Sequence, residues 1–422
     1  MLESWVRSVV HMRWERAALA VLMVATAGAC GGDGSQERHA SAIDVDVVHS
    51  TGAEGVSAVV STGATLVAET WGWSRSSLYV SENGGASWSP SEVPEPAGMD
   101  ISVAWRLKVF GDRVLAFGGR NVDPTGPRRP FIWWSSDGGR SFVAGAGVAA
   151  ANDVGRVYEL DQLGDRLIAL GTVGDRTVSW TSTDRGATWS SSLVDGLRFD
   201  DQYSTAVVAG SASLLSSDGG HLVRSSDGRS WRRADLPTDL GGVGQVERIG
   251  DLILLQSDPP YASRDGGRTW TALGNLDSKG STTSGHGPVA IRAAAGQHLI
   301  GSYNQVYGDG ETVDDRLVWS DDGGATWRPS RVPVHCSPGE DGPEVSISDA
   351  VAVGDTYLVI WGCAAGNKLL ASTDDGRSWR PLATHPHEDL FNLISRGRGA
   401  IVIGSSRIEQ QVDDVIRLSS GS

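Results

Sequence analysis

The stretch Ser320-Asp-Asp-Gly-Gly-Ala-Thr-Trp327 decides how this chain is read, because it recurs. Its counterparts are Ser81-Glu-Asn-Gly-Gly-Ala-Ser-Trp88, Ser135-Ser-Asp-Gly-Gly-Arg-Ser-Phe142, Ser182-Thr-Asp-Arg-Gly-Ala-Thr-Trp189, Ser225-Ser-Asp-Gly-Arg-Ser-Trp231, Ser263-Arg-Asp-Gly-Gly-Arg-Thr-Trp270 and Ser372-Thr-Asp-Asp-Gly-Arg-Ser-Trp379. The third positions, Asn83, Asp137, Asp184, Asp227, Asp265, Asp322 and Asp374, are spaced by 54, 47, 43, 38, 57 and 52 residues. A motif returning at this period marks a chain built from repeated supersecondary units. Its chemistry is that of a turn. The Asp or Asn accepts nearby backbone N–H groups, the glycines permit positive φ, and the aromatic ring starts the next strand and buries a large surface.

A second periodic feature lies upstream of every copy: an apolar run, a Gly turn and another apolar run. Leu107–Phe117 turns at Gly111, Leu163–Leu170 at Gly164, Ile249–Leu255 at Gly250 and Val353–Ile360 at Gly354, with looser copies at Gly63, Gly210, Gly296 and Gly399. Short β-rich runs joined by Gly turns predict hairpins. Each repeat therefore reads as strand A, Gly turn, strand B, loop, strand C, motif, strand D. Eight hairpins stand against seven motifs, and the last repeat stops before its strand D. The lone alternating run Ile43-Asp-Val-Asp-Val-Val48 can supply that strand and hide an edge.

The repeated stretch resembles the Asp-box, or BNR repeat, of sialidases and other β-propellers, over residues 43–422. The resemblance implies an all-β fold, a single β-propeller with the box between the third and fourth strands of each blade, away from the active face. Counted from the hairpins, the expectation is eight four-stranded blades, with seven as the alternative, closed by the N-terminal strand. Asn83, Asp137, Asp184, Asp227, Asp265, Asp322 and Asp374, with Trp88, Trp189, Trp231, Trp270, Trp327 and Trp379, are then structural.

The N-terminus reads differently. Arg7, Arg13 and Arg16 precede an apolar run from Ala17 to Ala29, too short to span a bilayer and suited to a signal peptide over 1–29. Either Met1 or Met12 can start it. Ala27-Gly28-Ala29-Cys30 resembles a bacterial lipobox, which implies lipidation of Cys30; Ala27 stands where Leu is usual. Residues 30–42 are polar and Gly/Ser-bearing, a flexible tether. The expected location is extracytoplasmic, anchored to the bacterial membrane by lipid. A net charge of −15 argues against nucleic acid, and a monomer is expected.

With boxes and Gly turns on one face, chemistry is sought on the other. Trp71, Trp73, Tyr303 and Trp361 fall at B-strand ends, and Asp100, Asp153 and Asp201 at strand-A entrances. Together they are candidates for binding a sugar or a partner. Cys336 and Cys363, also on that face, read as a disulfide in an exported protein. No HExxH, GxSxG or phosphate loop occurs, and no cofactor or metal is expected; His335, His385 and His387 fit no metal spacing. A sialidase needs three arginines, a Tyr–Glu pair, an Asp acid and an F/Y-R-I-P motif. That motif is missing between Cys30 and Ser81, and Arg128-Arg-Pro-Phe131 has the wrong order and place. Arg106, Arg156, Arg248 and Arg292 lie on A strands beside Tyr158-Glu159, whose alternation points them apart. Sialidase propellers also have six blades. The reading is a cell-surface propeller binding a glycan or protein, with an exo-glycosidase of sialidase type as the alternative and an assembly factor as a third possibility.

Overall fold

Apolar runs split by a two-residue Gly turn fold back on themselves, and the repeated motif adds the last strand of each unit. The computed structural model describes residues 18–23, 43–54, 56–63, 65–71, 76–94, 106–121, 128–149, 153–195, 197, 207–209, 214–217, 222–236, 246–255, 257, 259–274, 289–306, 313–334, 345–363, 367–382, 388–396, 399–406 and 413–420.

The described residues form an all-β propeller. Five antiparallel four-stranded sheets lie within residues 56–90 (sheet I), 106–144 (II), 155–193 (III), 207–233 (IV) and 246–272 (V). Sheet VI, within 290–381, has eight strands. Its two four-stranded halves are joined by a parallel bridge between Asp314 and Val345. These six sheets draw only on consecutive strands; sheet VII joins both chain ends, in the order Ala18–Met23, Ile43–Glu54, Asp413–Ser420, Gly399–Ser406, Glu388–Arg396.

The expected eight separate four-stranded blades, or seven, are therefore corrected: among the described residues six sheets draw on consecutive strands, five of them four-stranded. The Asp314–Val345 bridge is the physical reason at sheet VI, since one strand pairing merges what the motif spacing separates. The expected N-terminal strand, Ile43–Glu54, pairs with Asp413–Ser420; Ala18–Met23, inside the expected signal peptide, pairs with both Ile43–Glu54 and Gly399–Ser406. The first strands of successive sheets touch in chain order, and Glu388–Arg396 returns to Val56–Thr62, which closes the ring.

The core lies between sheets. Leu115, Phe117 and Ile132 of sheet II pack with Val157, Leu167, Trp180 and Trp189 of sheet III. The motif aromatics Trp88, Phe142, Trp189, Trp327 and Trp379 are buried, while Trp231 and Trp270 are partly so. The motif also latches neighbours. In sheet I, Glu92 N donates to Arg140 O at 2.8 Å and Phe142 N to Glu92 O at 2.7 Å, tying it to the motif of sheet II. Ala146 and Arg331 repeat this latch with Ala187 and Trp189 and with Arg377 and Trp379. A motif glycine lies under a side chain of the preceding unit: a Cβ on Gly139 would overlap Val67, one on Gly267 would overlap Leu215, and one on Gly376 would overlap Ile300. These glycines therefore serve sheet-to-sheet packing as well as turn geometry.

Candidate functional site

The motif turns are saturated with internal bonds. In Ser320–Trp327, Ser320 Oγ donates to Asp322 Oδ1 at 2.7 Å and accepts Gly324 N at 2.8 Å. Thr326 N donates to Oδ1 at 2.9 Å and Thr326 Oγ1 to Oδ2 at 2.6 Å. The same pattern holds at Asp137, Asp184, Asp265 and Asp374. At the shortened copy, Asp227 instead accepts Arg229 N and Ser230 N, both at 2.8 Å. Asn83 shows the neutral version: its Oδ1 accepts Ser87 N and its Nδ2 donates to Ser87 Oγ, both at 2.9 Å.

Desolvation opposes the charge at Asp265 and Asp322, but the hydrogen bonds together outweigh it and hold both near pKa 2. A carboxyl with a depressed folded pKa contributes stability above its unfolded value that is lost as pH falls through the folded value. Thermal melts between pH 5 and pH 2 are expected to show stability falling toward the acid end. Asp265→Asn with Asp322→Asn, imitating Asn83, is expected to flatten that decline; an unchanged acid limb would refute the assignment.

The opposite ends of the strands hold a different population. In sheet III, Val157 pairs with Gly171 and Glu159 with Leu170, leaving Tyr158 as a bulge. A bulge interrupts alternation and re-aims side chains, so the strict alternation expected of Tyr158-Glu159 does not hold. Glu159 is buried, forms an ion pair with Arg106 of sheet II and a second with Lys108 at 2.7 Å, and accepts Leu160 N at 3.0 Å. The Arg156 guanidinium stacks 4.2 Å from the Tyr158 ring centroid. Gly119 makes room for this: a Cβ there would come within 2.7 Å of Arg156 Cβ and 3.3 Å of Arg128 Cβ.

Sheet VI has a comparable seam. Arg292, at a bulge, donates from Nε to Ser302 Oγ at 2.8 Å and lies 3.9 Å from Asp315. Asp315 accepts Ile347 N at 2.8 Å, and Asp349 accepts Ala350 N at 2.8 Å and Leu393 N at 2.7 Å. Desolvation raises the Asp349 pKa in spite of those two donors. Carboxylates here pin one sheet's inner strand to the next.

The sequence-predicted residues are only partly placed by this geometry. Asp100, Asp201, Trp73, Cys30 and Cys336 lie outside the described residues, as do His335, His385 and His387. Trp71 pairs with Ser76 at its strand end. Tyr303 packs against the core between sheets V and VI, and Asp153 is half-buried. Trp361 is corrected: it is 3% exposed within the core of sheet VI and offers no ring to a ligand. Strand-end position was the only guide to its depth, and that strand runs on to Cys363. Cys363 is disulfide-bonded.

The four arginines show different partners. Arg106 meets Glu159, Arg156 meets Tyr158, Arg292 meets Ser302, and Arg248 Nε donates to Gly250 O at its own turn at 2.9 Å.

Sequence reading also missed Glu69, which is 3% exposed and pushed up to about pKa 8 by desolvation. It lies six residues after Gly63, the place that Phe117, Leu170 and Ile360 hold after Gly111, Gly164 and Gly354, and those three are fully buried. Aligning the hairpins on their turn glycines would have found it.

Among the described residues no cluster of three His, Cys, Asp or Glu could hold a metal, and no helix is long and apolar enough to cross a membrane. A shallow cavity at the turn end is lined by Arg113, Gln162, Asp165 and Arg185.

Solved structures similar to this chain include YCF48 from Cyanidioschyzon merolae, at 15% identity over 64% of this chain and 97% of that one, TM-score 0.31. The GH74 enzyme of Niastella koreensis is 13% identical over 82% and 70%, TM-score 0.35. An α-L-arabinanase from Penicillium chrysogenum is 13% identical over 84% and 90%, TM-score 0.36. No curated protein matches the sequence. The family described as the DUF6242 beta propeller domain matches residues 149–386, more than half of the chain, and the protein belongs to that family.

Proposed function

We propose that this is an exported, lipid-anchored propeller of the Asp-box (BNR) kind, sialidase-like in its repeat, that binds a glycan or a protein partner rather than performing catalysis. The observation supporting the reading is that Arg106, Arg156, Arg248 and Arg292 each engage a different partner, with Glu159 held by Arg106 and Lys108. A sialidase-type centre needs those groups together around one sugar carboxylate.

The test uses native protein on a fluorogenic α-sialoside and on immobilised glycans. Saturable glycan or protein binding without fluorophore release is expected. Release that is lost in Glu159→Gln would overturn the reading in favour of the exo-glycosidase.

The lipobox-like run before Cys30 supports the anchor. Intact mass spectrometry is expected to show loss of residues 1–29 and a diacylglyceryl mass on Cys30; an unmodified N-terminus further downstream would refute it. Cys336 is proposed as the partner of Cys363. Alkylation without reductant is expected to leave both unmodified, and two alkylated thiols would refute the pairing.

A further inference from the structure

At the Gly-turn end of the strands, between sheets II and III, lies a cavity of about 140 Å³. Phe110 and Arg113 of sheet II and Gln162, Asp165, Leu167 and Arg185 of sheet III line it.

Arg113 is held in place but poorly satisfied. Its guanidinium lies 4.0 Å from the Trp134 ring centroid, a cation–π arrangement. Its Nε and Nη1 are buried and have no acceptor among the described residues. The matching residue one sheet on shows what is missing. Arg166, like Arg113 two residues after its turn glycine, donates from Nη1 to Asp227 O at 3.5 Å. A buried donor without an acceptor is costly.

Arg185 is held against a backbone preference. It takes φ +64°, a left-handed conformation that a side chain opposes. Four other copies of the motif place Gly84, Gly138, Gly266 and Gly323 there. Both copies that keep a side chain at this position use it across a seam: Arg185 pairs with Asp112, and Asp375 lies 3.7 Å from His298. Strain retained beside a cavity points to a role for the side chain that causes it.

We infer that this cavity binds a small zwitterion, a free α-amino acid with a short side chain. Its carboxylate accepts from Arg113 and Arg185, as guanidinium groups favour. Its ammonium faces Asp165 and the side-chain oxygen of Gln162, whose Nε2 donates to Gly164 O at 2.7 Å. Phe110 and Leu167 supply the apolar wall. Charge selects the class. Arg113 and Arg185 are balanced by Asp112 and Asp165, so a ligand of zero net charge suits the site, and a phosphate or sulfate sets its surplus negative charge beside two carboxylates.

Titration calorimetry of the native protein with L-alanine, acetate and inorganic phosphate tests this. Saturable L-alanine binding is expected, about tenfold tighter than either anion. Arg113→Gln and Arg185→Gly are each expected to weaken it about tenfold. Arg185→Gly supplies the residue that other copies use and relieves the left-handed backbone, so its melting temperature should hold or rise, which separates a lost contact from a lost fold. Asp165→Asn is expected to remove the preference for L-alanine over acetate. Absence of saturable L-alanine binding overturns the inference, as does binding unchanged in both arginine variants. Phosphate bound more tightly than L-alanine overturns the zwitterion in favour of a simple anion.

Discussion

Gly139→Ala is expected to cost the protein about 2–5 kcal/mol, among the largest single effects in the ring. Two physical terms add. Gly139 has φ +93°, where a side chain meets backbone, at about 1–2 kcal/mol. Its new Cβ would also overlap Val67 of the preceding sheet, and overpacking costs about 1–3 kcal/mol. The urea midpoint should fall with little change in slope, because the surface exposed on unfolding is the same. Combining Gly139→Ala with Val67→Ala is expected to recover the overlap but not the backbone cost. Strict additivity of the two substitutions would show that Val67 is not what Gly139 accommodates.

Glu69→Leu is expected to act in the other direction. Its folded pKa, near 8, lies well above the ordinary carboxyl value of 4.5. Between those values the unfolded chain releases a proton that the folded chain keeps. Stability is then fully present below pH 4.5 and falls as pH rises, at roughly 1.4 kcal/mol per unit, until the folded carboxyl ionises near pH 8. The variant is expected to lose that pH penalty, with a flatter profile from pH 5 to 8. Glu69→Gln should flatten the profile while keeping a polar group at the site. Equal pH dependence in the parent and both variants would show that Glu69 does not titrate there. Phe117, Leu170 and Ile360 show that an apolar side chain fits the equivalent position in other sheets.

Much of the propeller was readable from the chain because one short motif does two jobs. Ser320, Asp322 and Thr326 bond to one another within eight residues, so their pattern survives in sequence. The turn glycines Gly63, Gly111, Gly164 and Gly354 mark the hairpins in the same local way. What escaped was set by neighbours far along the chain. The Asp314–Val345 bridge joins residues from different repeats and changed the sheet count. The Tyr158 bulge depends on how its strand meets Arg166–Val173, and periodicity alone cannot show it. Trp361 looked like a rim aromatic because strand ends are visible in sequence and depth is not. Glu69 was legible in principle, since the repeat itself supplies an internal comparison.

The eight-stranded sheet has a consequence for how the ring opens. Among the described residues, other neighbouring sheets meet through side chains, outer backbone latches and, at Asp349 and Leu393 N, a carboxylate-to-backbone bond. Between 290–329 and 345–381 they also share a backbone bridge and the Asp315 hydrogen bond to Ile347 N. Regions joined by such contacts open as one cooperative unit. Amide exchange should therefore slow together across both halves, and proteases should nick the ring at other seams first. That arc would act as the hub on which the remaining sheets breathe, and a ligand that needs the ring to widen would find its slack elsewhere.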